Sequence, residues 1–161
     1  MSQVIPEIPE ITRVPVNNQD SVIKPYVLGH GTLACRDINE TRTFYKEFLG
    51  LETVRHGPRS FAVRLGMKFH IFSVEIGDEI EPVPFLNHWG LDVQSKDEVD
   101  VAYQKTLELK EKYKIRQITE PALQHGVYSF YLEDMDYNWW EVQYYEGNFQ
   151  DDDLFDFGDL F

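Results

Sequence analysis

Between residues 28 and 146 the apolar positions follow two periods in alternation, and the order is used twice. Residues 28–48, LGHGTLACRDINETRTFYKEF, and 86–106, LNHWGLDVQSKDEVDVAYQKT, share one plan at an offset of 58. Each opens on a short apolar strand with a histidine at the same place, His30 and His88. Seven residues on stands a helix N-cap, Asp37 or Ser95, and three further a glutamate, Glu40 or Glu98, the reciprocal capping pattern. Apolar residues then recur at helical spacing. Ile38, Phe44, Phe48 and Leu49 form the stripe ended by Gly50, and Val99, Ala102, Tyr103, Thr106, Leu107 and Tyr113 form its counterpart. After each helix the period shortens toward two, through LETVRH, SFAVRLG and KFHIFSVE in the first half, and IRQIT, VYSFYLE and WWEVQYY in the second.

The pattern predicts an α+β domain over 26–146 made of two βαβββ units, 26–76 and 86–146. One unit alone leaves the open face of its sheet unburied, so the two must pair. Pairing two twisted sheets curves them around a central cavity, where a metal or ligand site is expected. The flanks differ from this middle. Residues 1–25 carry four prolines and neither period, and read as an extended arm. Residues 147–161 mix acids with Leu154, Phe155, Phe157 and Phe161, a pattern that suits a disordered acidic end or a segment that docks on the domain or on a partner.

Composition narrows the partners. The chain has 161 residues, 42% apolar and 14% aromatic, enough for a real core. Its single cysteine, Cys35, excludes an intramolecular disulfide framework, and the N-terminus has no signal-peptide pattern, so a reducing cytoplasmic setting is expected. No apolar run approaches the roughly 20 residues that span a bilayer. A net charge of −13 repels phosphate backbones and anionic membranes, which removes nucleic acid and membrane as main partners.

Candidate chemistry comes from the strands. Tyr131 and Glu141 stand symmetrically about Asp136 in the turn EDMDYN, which makes them cross-strand neighbours with Cβ atoms about 5 Å apart. On the first unit, MKFHIFSVE puts His70 on the face of Lys68, Phe72 and Val74, while His56, beside HGPR, reads as a surface loop residue. A buried carboxylate such as Glu141, set among Trp139, Trp140, Val142 and Tyr144, needs a cation, a hydrogen-bonding partner or solvent. Two histidines related by the repeat and this carboxylate make His30, His88 and Glu141 a candidate metal set. Two imidazoles and one carboxylate on one face of an octahedron are typical of non-haem Fe(II) oxygenases.

The duplicated plan, with ligand positions on the first strand of each unit and the last strand of the second, resembles the vicinal oxygen chelate superfamily. That superfamily includes glyoxalase I, fosfomycin-resistance enzymes, bleomycin-resistance proteins and type I extradiol dioxygenases. FYKEFLGLE resembles its first helix end, and FYLEDMDYNWWEV resembles its Asp-Pro-x-Gly-Asn hairpin running into the ligand glutamate, with Met135 and Tyr137 in place of Pro and Gly. The resemblance implies a single metal-binding domain acting as a homodimer. Where glyoxalase I commonly has a ligand glutamate, this chain is read as having His70. That points to an extradiol-type dioxygenase with Fe(II), His70 as acid or base, Tyr131 and His125 positioning a catechol-like substrate, and dioxygen as co-substrate. The same ligands also suit a Lewis-acid lyase, isomerase or transferase using Mn, Ni, Co or Zn, with His70 as a fourth ligand. A third reading is a metal-free protein that sequesters a planar ligand among Phe72, Trp89, Trp139 and Trp140.

Overall fold

The computed structural model describes Val22 and residues 28–66 and 69–147. The arm apart from Val22, the tail after Gly147, and Lys68 lie outside the described residues. The first unit runs β1 (His30–Cys35), α1 (Ile38–Glu47), β2 (Glu52–Gly57), β3 (Ser60–Arg64) and β4 (His70–Glu75). The second runs β5 (His88–Asp92), α2 (Lys96–Leu109), β6 (Gln117–Ile118), β7 (Ala122–Gln124), β8 (Val127–Glu133) and β9 (Trp139–Tyr145). Sheet order is β1-β4-β3-β2 in the first unit and β5-β9-β8-β6 in the second, with β7 also pairing β8. In both, the opening strand pairs parallel with the closing strand and the other pairings are antiparallel. This is the expected duplication, with the short strand β7 added to the second unit.

Both helices start where the capping residues dictate. The Asp37 side chain accepts from the Asn39 and Glu40 amides at 2.9 Å each. Ser95 caps the Glu98 amide at 3.2 Å, and the Glu98 carboxylate reaches back one residue beyond the cap, to the Gln94 amide at 2.7 Å. In α1, Ile38, Thr41, Phe44 and Tyr45 turn inward. In α2 the buried line is Val99 and Thr106, while Leu107, expected in the stripe, lies at its edge and is 45% exposed.

Alternation along the strands splits each sheet into an inner and an outer face. Cys35, Phe61, Val63 and Ile71 from the first sheet share one core with Phe130, Leu132, Trp140 and Val142 from the second. Tyr45 bridges the units, with its ring 5.9 Å from Phe61 and 5.1 Å from Trp140. Trp89 lies directly over Gly31, where even a Cβ would overlap its ring. The histidines and Glu141 therefore stand on the outer faces.

A buried polar joint ties the second hairpin to the first helix. Asp136 accepts from the Arg36 amide at 2.8 Å and the Thr41 hydroxyl at 2.5 Å. Asp134 accepts from the Asp136 and Asn138 amides, the Trp140 indole and the Tyr45 hydroxyl at 2.8–3.2 Å. Four donors favour its charged form. Burial and the neighbouring Asp136 outweigh them and raise its pKa to about 7. Among the described residues no helix is long and apolar enough to cross a membrane.

Candidate functional site

The turn between β8 and β9 decides whether Tyr131 and Glu141 meet. Without the Pro and Gly of the resembled hairpin, Tyr137 itself takes the left-handed conformation, φ 64°, and Arg116 stacks on its ring at 4.0 Å. Asp134 closes the turn, and the register stays simple: Tyr131 pairs Glu141 and Glu133 pairs Trp139. On the neighbouring strand, Gly90 stands beside Glu141 and leaves room at its side.

His88 completes this half of the site. Its Nδ1 faces the Phe85 carbonyl at 3.1 Å and its Nε2 lies 3.3 Å from Glu141 Oε2. The carbonyl can only accept, so Nδ1 carries the hydrogen and Nε2 is turned toward the carboxylate. Two lone pairs at that distance repel unless positive charge lies between them, as a proton or a metal ion. Glu141 is only 7% exposed, so it needs such a partner. The Tyr131 hydroxyl also donates to Glu141. Burial first, and then Glu141, push the Tyr131 pKa up to about 12, which keeps the phenol a hydrogen-bond donor at neutral pH. Phe85 walls the group, its ring 4.7 Å from Tyr131 and 5.0 Å from Trp139.

The other half lies on the first sheet. His30 and His70 are direct neighbours across β1 and β4, with rings stacked at 5.7 Å. Phe72 touches both, at 5.2 and 4.7 Å, and also touches His56 at 4.8 Å. His56 thus corrects the loop reading: it belongs to β2, at a bulge between Arg55 and Gly57, and shares the outer face. The repeat also reassigns an equivalence. Thr32 pairs Phe72 just as Gly90 pairs Glu141, each two residues after the histidine that opens its unit. The counterpart of Glu141 is therefore Phe72, which has no ligating atom, and His70 is the counterpart of Trp139.

The structure accordingly brings His88, Tyr131 and Glu141 together and, separately, His30 and His70. Among the described residues no three His, Cys, Asp or Glu side chains converge to hold a metal. His125 stands apart from both groups. It is exposed, at φ 51° in the β7–β8 turn, and Val127 at the start of β8 is already four residues, about 13 Å, from Tyr131. The donors present, imidazole nitrogen and carboxylate oxygen, fit a divalent metal, and His88 has the outer hydrogen bond expected of a ligand imidazole. Sequence reasoning missed His56, because a bulge changes which residues share a face, and Phe85, whose loop position has no periodic signal.

Two βαβββ units with histidine and glutamate on their outer strand faces define a glyoxalase-type fold. A family model described as the Glyoxalase/Bleomycin resistance protein/Dioxygenase superfamily matches residues 27–142, and the chain belongs to that superfamily. A genomically encoded fosfomycin resistance protein, FosX, from Listeria monocytogenes is similar at 23% identity and a TM-score of 0.60, covering 80% of this chain and 98% of its own. A possible glyoxalase from Bacillus cereus is 26% identical, with a TM-score of 0.56, covering 72% and 98%. Lactoylglutathione lyase from Agrobacterium tumefaciens is 19% identical, with a TM-score of 0.55, covering 74% and 94%. No curated protein matches the chain.

Proposed function

We propose that the protein is a divalent-metal-dependent enzyme acting on a small oxygen-bearing substrate by Lewis-acid chemistry, as a lyase, isomerase or transferase. The observation that carries this reading is the His88 Nε2–Glu141 Oε2 approach at 3.3 Å, with Nδ1 fixed by a carbonyl. His88, Glu141 and His30 would hold the metal, which when bound polarises a substrate oxygen. Tyr131 orients Glu141 with its one hydroxyl hydrogen, which leaves its oxygen to accept a hydrogen bond from substrate. Phe85 and Trp139 keep water from that side. The likeness to a fosfomycin resistance protein and a lactoylglutathione lyase supports this class over ring cleavage. Phe72 in the place of a fourth ligand favours a site of three protein ligands over the four-ligand form.

His30 lies on the outer face of one sheet, and His88 and Glu141 on that of the other, so a second copy of the chain is the partner that brings the three together. Mixing His30→Ala with Glu141→Ala protein tests this. Neither variant alone should hold metal, and the mixture should regain it, because one of the two shared sites is then intact. A mixture that stays metal-free contradicts the shared site.

A second reading, an Fe(II) extradiol-type dioxygenase, draws support from the Tyr131–Glu141 pairing and from His70 stacked on His30. Oxygen uptake with Fe(II) and a panel of catechols separates the two. Metal binding without oxygen consumption supports the Lewis-acid enzyme; consumption with a yellow product replaces it with the dioxygenase.

A further inference from the structure

The outer face of the first sheet carries a pocket of about 410 Å³, lined among others by Thr32, His56, Arg59, Ser60, Phe72 and Val74. Phe72 lines it, and its ring packs in T-shaped contact with three histidines, His30, His56 and His70, at 4.7–5.2 Å. The rim of the pocket is the turn between β2 and β3, and this turn is built to hold its shape. Arg55 donates to the Gly57 carbonyl at 3.2 Å and the Pro58 carbonyl at 2.5 Å. Gly57 packs so closely that a Cβ there would lie 2.7 Å from Ser60 Oγ. The turn and the bulge together aim His56, Arg59 and Ser60 at one space.

The charge of that space is opposite to that of the molecule. In a chain of net charge −13, the residues lining the pocket include a guanidinium and an imidazole and no acid. Arg59, an exposed side chain, meets the partly buried Glu75 only at 3.7 Å, and the other Glu75 oxygen is taken by the Ile38 amide at 2.9 Å. Among the described residues the Arg59 guanidinium has no other ion pair. With the Glu75 contact made through Nε, its terminal nitrogens are left to make the two parallel hydrogen bonds that a carboxylate accepts.

We propose that this pocket binds the carboxylate end of a small organic acid, with Arg59 and His56 on the anion and the flat apolar body of the acid on Phe72. As the pocket of a substrate it rests on the metal-dependent reading above; as a binding site it needs only the first sheet. The full chain, as purified and after chelation, is titrated calorimetrically with benzoate and with neutral benzyl alcohol. Benzoate should saturate one site, with benzyl alcohol at least about tenfold weaker, and Arg59→Ala should weaken benzoate by at least about tenfold. Glu141→Ala should leave benzoate binding unchanged. Non-saturating benzoate, equal binding of the two probes, or an unaffected Arg59→Ala variant overturns the proposal. Benzoate binding by a protein that takes up no metal supports the pocket and removes the metal reading; metal uptake without benzoate binding removes the pocket alone.

Discussion

Glu141 Oε2 lies 3.3 Å from His88 Nε2, and the far nitrogen of the same ring faces the Phe85 carbonyl at 3.1 Å. A histidine held between two acceptors beside a buried carboxylate is arranged to share a cation. The residue that supplies the carbonyl also supplies the ring covering Tyr131 and Trp139, so one position orients the ligand and shields it. Phe85→Ala should keep the carbonyl but open that wall. Metal should remain bound, and the exchange of bound metal with chelator should speed up relative to wild type.

His70 and Tyr131 separate the two catalytic readings. If the dioxygenase reading holds, His70→Gln retains iron and loses most oxygen uptake. Under the Lewis-acid reading neither protein consumes oxygen. Tyr131→Phe removes a charge-assisted hydrogen bond to Glu141, worth about 1.5–3 kcal/mol. Because Tyr131 is then the outer-shell partner of a metal ligand, the variant should bind metal about 10–100-fold more weakly and lose kcat/KM at limiting metal. Steady-state kinetics beside metal analysis checks both variants.

Asp134 gives the fold a pH dependence of defined sign. Its pKa in the folded protein is raised to about 7 from the usual 3.8, through burial first and Asp136 second. The folded state therefore keeps a proton that the unfolded chain releases above about pH 4. Its contribution to stability is full below that pH and is lost as the pH rises through 7. Thermal unfolding from pH 5 to 8 should show a falling Tm in wild type and a flatter profile in Asp134→Asn. The variant should also be less stable at pH 5 by about 1–3 kcal/mol, since an amide cannot accept from all four donors.

Gly31 makes room for Trp89 where the two units meet, next to His30. Gly31→Ala forces the indole aside and should cost about 1–3 kcal/mol. Adding Trp89→Leu should recover part of that loss, and chemical denaturation of the single and double variants measures the coupling.

Much of this was legible because it is local. Asp37 and Ser95 cap the helices their positions announce, and period two alone paired Tyr131 with Glu141, since Asp134 and a left-handed Tyr137 rebuilt the turn without shifting the register. What escaped depends on pairings that no local period encodes. A bulge turned His56 onto the face of Phe72, and the parallel register made Phe72, not His70, the counterpart of Glu141. Strand β7 is three residues long, too short for any period to mark. The separation of His30 from His88 and Glu141 is a matter of how whole sheets pack.

The most direct test of the proposed metal centre is metal content after anaerobic incubation with Fe(II), Mn(II) or Zn(II) and desalting, for wild type, His88→Ala and Glu141→Ala. Wild type should hold metal stoichiometrically, and each variant should lose affinity beyond the 10–100-fold typical of removing an outer-shell partner. Equal metal in all three proteins, or none in wild type, would contradict the proposed metal centre.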